Sequence, residues 1–202
     1  MATISLAVLA SGRGSNLQSI IDACERGDVN AEVKVVISDS KDAYALERAK
    51  KHGIDAYFVN IKEYQDKKAY EEKIVDLLQN YSVQLVCLAG YMRLVGPTML
   101  NAFPWQIMNI HPSLLPAFTG LHAQKQALDY GVKVSGCTVH FVDKGMDTGP
   151  IILQESVPVY DNDTEDSLAE RILVKEHVLY PKAIGLFAEN RLMVDGKKVV
   201  IE

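Results

Sequence analysis

Between residues 4 and 89 the chain alternates short apolar runs with stripes of helical period, and no other feature limits its possible folds as much. Residues 4–10 read as a strand. Leu17, Ile20, Ile21 and Cys24 then recur at i, i+3, i+4 and i+7, the stripe of an amphipathic helix. Residues 32–38, built on Val33, Val35, Val36 and Ile37, read as a second strand, and 43–51 as a helix stopped by Gly53. A weaker strand is expected over 57–61, a helix around Tyr70, Ile74, Leu77 and Leu78, and a fourth strand over 83–89. Strands separated by helix-length crossovers imply an α/β, Rossmann-like fold, a mostly parallel twisted sheet with helices on both faces.

After Gly96-Pro97 the rhythm changes. Residues 105–110 read as a buried strand running into an irregular segment with Pro112 and Pro116. Two long strands, 134–142 and 151–159, flank the loop 143–150. A long helix over 167–189 and a small hairpin over 192–201, turned at Asp195-Gly196, complete the chain. With no repeat, low-complexity stretch or linker, residues 1–202 are expected to form a single domain, a phosphate-binding half to about residue 100 and a catalytic half after it.

Composition removes whole classes. The formal charge of −5, with no basic block, argues against a nucleic-acid partner, and the apolar runs are too short to span a bilayer. Any anionic ligand must therefore be held by a few placed groups. The start of the chain has no basic n-region, and the three cysteines, Cys24, Cys87 and Cys137, form no C-x-x-C pair; both points favour the cytoplasm. Cys87, inside an apolar run, is expected to be a small core side chain. The five histidines show no metal-ligand spacing, so no metal is expected.

Two places carry chemistry. In Ser11-Gly12-Arg13-Gly14-Ser15-Asn16, glycines permit close backbone approach and the following helix offers free N–H groups, a combination suited to a phosphate. Leu17 stands where a dinucleotide fingerprint needs its third glycine, and no Walker A lysine follows. Asp39, at the end of the second strand, sits where a ribose-binding acid would, and a plain helix-capping turn also accounts for the loop. The second place is Asn109-Ile110-His111. Residues i and i+2 of a strand project to one side, so Asn109 and His111 should emerge together at the carboxyl edge, with Asp147 in the glycine-rich loop nearby. An amide donor, an imidazole and a carboxylate suit a tetrahedral intermediate; with no nucleophile elbow, direct transfer to an amine or water is expected.

The run Asn109-Ile110-His111-Pro112-Ser113-Leu114-Leu115-Pro116, with Gly120-Leu121-His122 and Asp147-Thr148-Gly149-Pro150, resembles the formyltransferases that use 10-formyltetrahydrofolate. Gly12 to Gln18, Leu88 to Arg93 and Glu176 to Pro181 extend the likeness over nearly the whole chain, most closely to members that formylate the amine of 5-phosphoribosylglycinamide in purine biosynthesis. The resemblance implies Asn109, His111 and Asp147 as catalytic. It implies Gly14, Ser15 and Asn16 on the phosphate and Glu176 on the ribose portion. For the folate it implies Lys67, Met92, Arg93, Leu94, Val95, Asn109, Asp143, Lys144, Gly145, Met146 and Asp147. Small-molecule substrates and a monomer or homodimer follow from the same resemblance. Thr148 and Arg13 depart from the commoner Gly and Asn.

Relatives that formylate methionyl-tRNA carry an additional domain, and the acidic balance here does not suit tRNA. Hydrolases of the formyl-folate usually place a regulatory domain first. A non-catalytic sugar-phosphate module would explain the first loop and leave Asn109, His111 and Asp147 unused. Two local expectations complete the reading: a cis peptide at Leu115-Pro116, and an inward-facing Glu176, which falls on the apolar stripe of Leu168, Ile172 and Leu179.

Overall fold

Strands that are apolar on both sides need a cover on both sides, and helices from both halves of the chain provide it. In the computed structural model, which describes residues 2–202, β1 (Ile4–Leu9), β2 (Ala31–Ser38), β3 (Asp55–Phe58), β4 (Leu85–Leu88) and β5 (Ile107–His111) lie parallel in the order β3-β2-β1-β4-β5. Leu6, Val8, Leu85 and Cys87 enter one apolar cluster; Ala7, Leu9, Val86 and Leu88 enter the other. The first cluster is closed by α1 (Ser15–Glu25), α2 (Tyr44–Lys51), α5 (Ala123–Tyr130) and α6 (Glu165–Ala188). The second is closed by α3 (Lys67–Asn80) and α4 (Pro97–Ala102). Because β1 lies between β2 and β4, the loops leaving β1 and β4 part at the carboxyl edge and open a crevice there.

Beyond β5 the sheet turns antiparallel with β6 (Val134–Phe141) and β7 (Ile151–Pro158). The outer hairpin of β8 (Leu192–Asp195) and β9 (Lys198–Ile201) joins through a parallel bridge of Ile151 with Lys198, and β8 forms the edge. In α6, Thr164 and Ser167 cap the first turn reciprocally, which starts the helix two residues before the expected Ser167. Farther along, the fully buried Tyr180 hydroxyl lies 3.0 Å from the carbonyls of both Leu88 and Met108, tying α6 to the ends of β4 and β5.

Several boundaries differ from the sequence reading. The third strand is Asp55–Phe58, and Ile61, expected at its end, instead opens a single 3-10 turn over residues 61–63. The fifth starts at Ile107, since Trp105 has φ 55° and is 46% exposed. The final turn is Gly196-Lys197, one residue later than expected, which puts Lys197 at its tip. The helices α4 and α5 escaped the periodicity because Met99 alone is buried in the first, and only Ala123 and Ala127 in the second. The Leu115-Pro116 peptide is cis, and Cys87 is a buried core side chain, both as expected. All three thiols are free, and burial raises their pKa values, to about 11 for Cys24 and about 12 for Cys137, so none is an activated nucleophile. Among the described residues no helix is long and apolar enough to cross a membrane.

Candidate active site

The crevice holds a cavity of about 970 Å³ whose walls come from the β1, β4 and β6 loops, the end of β5 and one side of α6. At one end, Gly14 precedes α1 with φ 69°, and no side chain caps the helix. The first N–H groups of α1 therefore stay open to a ligand. Gly14 itself does not line the cavity: a Cβ there would lie 2.8 Å from Ala45 Cβ, so the glycine is what lets the loop rest against α2. Gly12 O accepts from Ala45 N, and Arg13 O accepts from Arg48 Nε, which fixes the loop from behind.

Ser15 and Asn16 do line the cavity. The Asn16 amide donates through Nδ2 to Glu176 Oε2 at 2.7 Å, while its buried Oδ1 has no protein partner. Glu176 faces inward, as the α6 stripe required, and is 7% exposed. Its nearby cations are engaged elsewhere, Arg171 with Asp163 and Lys175 with Glu155. Burial raises the Glu176 pKa, against the lowering effect of the Asn16 bond. Asp39, weighed above as a ribose-binding acid, is already committed: it accepts from Ser11 Oγ at 2.6 Å and pairs with Arg93 at 2.7 Å. Ser11 Oγ in turn accepts from Met92 N, so the loops after β1 and β4 are joined.

At the centre, Asn109 and His111 both reach the cavity, as their i, i+2 spacing required. His111 is buried; its Nε2 donates to Phe118 O at 2.8 Å, and its Nδ1 lies 3.4 Å from Asp147 Oδ2. A carbonyl only accepts, so Nε2 carries hydrogen, and a ring protonated on both nitrogens faces an acceptor at each end. The segment that presents Phe118 O is braced by Thr138, whose hydroxyl donates to Ser113 O and accepts from Leu115 N. Asp147 takes φ 53° and accepts from Gly120 N through Oδ2. Because β6 runs against β5, its trailing loop departs beside Met108, below the carboxyl edge, and still folds back far enough to bring Asp147 to His111.

His140 is the residue that sequence reasoning missed. It sits directly across from Asn109 in the β5–β6 pairing and is 2% exposed. Its Nδ1 donates to Phe141 O, so Nε2 is left to accept from Asn109 Nδ2 at 3.3 Å. Burial lowers its pKa below 6.5, although the Phe141 carbonyl and Asp147 act in the opposite direction, and the ring stays neutral at pH 7. The only hint in the sequence was Thr138 and His140 at strand spacing, and the register that pairs His140 with Asn109 is not written there.

Met92, Arg93, Leu94 and Val95, and from the other loop Asp143, Lys144, Gly145 and Met146, line the cavity as well. Met92, Leu94 and Met146 are about half or more exposed, an apolar mouth suited to a flat ring. Lys67 is not brought there; it lines a separate 250 Å³ pocket behind residues 92–95, 3.7 Å from the buried Glu71. Among the described residues no cluster of three or more His, Cys, Asp or Glu could hold a metal.

Comparison with known proteins places this arrangement among relatives. A model of the formyl transferase family matches residues 4–184, a stretch that ends before β8 and β9. The phosphoribosylglycinamide formyltransferase of Escherichia coli is 41% identical over 189 residues, which is 94% of this chain and 89% of that one. The trifunctional purine biosynthetic protein adenosine-3 of Chironomus tentans is 44% identical over 192 residues, and there this chain spans only 14% of the relative's length. A crystal structure of glycinamide ribonucleotide transformylase 1 from Symbiobacterium toebii superposes with a TM-score of 0.98 at 56% identity, covering 98% of this chain and 94% of that one.

Proposed function

This chain belongs to the formyl transferase family, and from that premise we propose that it moves the formyl group of 10-formyltetrahydrofolate to the amine of 5-phosphoribosylglycinamide. One observation carries the reading: a single cavity joins an uncapped helix N-terminus and a buried carboxylate to an apolar mouth, with Asn109, His111 and Asp147 between them. The phosphate meets the N–H groups at Ser15 and Asn16. The ribose hydroxyls donate to Glu176 and to the unpartnered Asn16 Oδ1, so the Asn16 side chain serves the sugar more than the phosphate. Residues 92–95 and 143–147 enclose the folate.

The amine nitrogen attacks the formyl carbon, and the carbonyl pair moves onto oxygen. Asn109, with one amide hydrogen held by His140, turns the other toward that oxyanion, and a protonated His111 adds its charge. Asp147 Oδ2 is occupied by Gly120 N; Oδ1, 3.8 Å from His140, remains open to take the proton from the attacking nitrogen. The same proton goes to folate N10 as the carbon–nitrogen bond breaks, so nothing is consumed but the two substrates. The reaction takes place in the cytoplasm, where the three free thiols stay reduced.

The test mixes purified protein with both substrates and follows loss of the formyl-folate optically together with the mass of the amine product. Formyl transfer in equal amounts is expected. Loss of formyl-folate at the same rate with no amine present would instead make the chain a hydrolase.

A further inference from the structure

The outer hairpin reaches back to the loop that carries Asp147. Lys197, at the tip between β8 and β9, places Nζ 2.8 Å from Thr148 O and 3.2 Å from Asp143 Oδ2. The other Asp143 oxygen, Oδ1, accepts from Thr148 Oγ1 at 2.6 Å and from Gly145 N at 3.0 Å. One carboxylate thus gathers two ends of the loop and a lysine more than fifty residues away in sequence. The Thr148 hydroxyl is what completes the set; a Cβ on Gly145 would collide with it, so the two positions are matched. Gly149 is fixed too, since a Cβ there would strike Phe141 O. Nothing in the proposed chemistry uses Lys197 or Thr148.

We propose that Lys197 and Thr148 form a clasp on Asp143 that holds residues 143–148 in their binding arrangement before the folate arrives, making Lys197 a positioning residue of the active site. The inference rests on the proposed folate role of this loop, but the clasp itself can be read without any substrate. A loop already ordered costs the ligand less to bind, so the gain falls on the folate and not on the amine at the other end of the cavity. Lys197 is 74% exposed on its side chain, so the contact is a modest one that salt weakens.

Two measurements test it. Amide hydrogen exchange of the ligand-free protein should show residues 144–148 exchanging roughly five-fold faster in Lys197→Met than in the wild type, with the melting temperature unchanged and protection restored in Lys197→Arg. Steady-state kinetics should show the apparent KM for 10-formyltetrahydrofolate rising by a similar factor, with kcat and the amine KM unmoved. Thr148→Gly should act in the same direction, and the double variant should lose less than the sum, because both donors serve one carboxylate. Unchanged exchange in Lys197→Met overturns the clasp, whatever the enzyme's substrate is. Faster exchange with equal changes in both KM values overturns its positioning role.

Discussion

The two ends of the cavity are built on opposite plans. Where β5 meets β6, the groups are side chains and nearly every one is already engaged: His111 with Phe118 O, Asn109 with His140, His140 with Phe141 O, Asp147 with Gly120 N. Where β1 meets α1, the donors are main-chain N–H groups, the helix has no side-chain cap, and Asn16 Oδ1 is buried without a partner. A centre that must stabilise developing charge gains from dipoles fixed in advance, because they need no reorganisation during reaction. A recognition site gains from unsatisfied groups, because each bond to the ligand then replaces none in the protein. The difference predicts where substitutions register, in turnover at one end and in amine affinity at the other.

The largest effect belongs to the reacting centre. His111→Ala and Asp147→Asn should each lower kcat by at least about 10²-fold with the fold intact by circular dichroism. Near-normal turnover with both substrates saturating would erase the contrast. At the other end, Glu176→Leu removes a buried carboxylate from an apolar stripe but leaves the buried Asn16 Nδ2 without its acceptor, so its melting temperature should stay close to that of the wild type. It should nevertheless lose roughly 1–3 kcal/mol of amine affinity in calorimetric titration. Wild-type affinity would assign Glu176 to the scaffold.

Gly14→Val sharpens the comparison in a different way. The new Cβ meets Ala45 on α2, not the ligand, and the backbone sits at φ 69°. Loop and helix must separate, so a stability loss of about 1–3 kcal/mol should accompany a raised amine KM, with the folate KM less affected. An unaltered melting temperature would contradict this packing. The smallest effect concerns pH. The folded His140 takes up its proton only below the unfolded value of 6.5, so its contribution to stability is complete above that pH and is lost as pH falls. Once protonated, Nε2 can no longer accept from Asn109, and kcat should decline on the acid side. His140→Gln, which has nothing to titrate, should flatten that decline while leaving the neutral rate within a few-fold; an identical acid limb in both proteins would acquit His140.

What the sequence disclosed follows the same physical divide. Strands buried on both faces leave continuous apolar runs, so β1, β2 and β4 could be read directly, as could the inward side of α6. Short helices with one or two buried residues leave no period, and α4 and α5 were invisible. Within the site, Asn109, His111 and Asp147 could be read because a strand's own spacing, or one loop, sets their place. His140 depends on cross-strand register, and the engagement of Asp39 depends on two loops meeting. Lys67 shows the converse, since it lies on the far side of residues 92–95 from the cavity.

The anchoring of α6 through Tyr180 makes the helix a ruler. Glu176 stands four residues before that anchor, about 6 Å along the axis, and the anchor is bonded to the carbonyl next to Asn109. On the proposed reading, the distance from sugar hydroxyls to reacting nitrogen is set by helix rise and one buried phenol, not by a loop that can adjust. A ribosyl amine longer or shorter by one methylene would place its nitrogen roughly an ångström from the formyl carbon's line of attack, a displacement that costs rate even when every contact at either end is made.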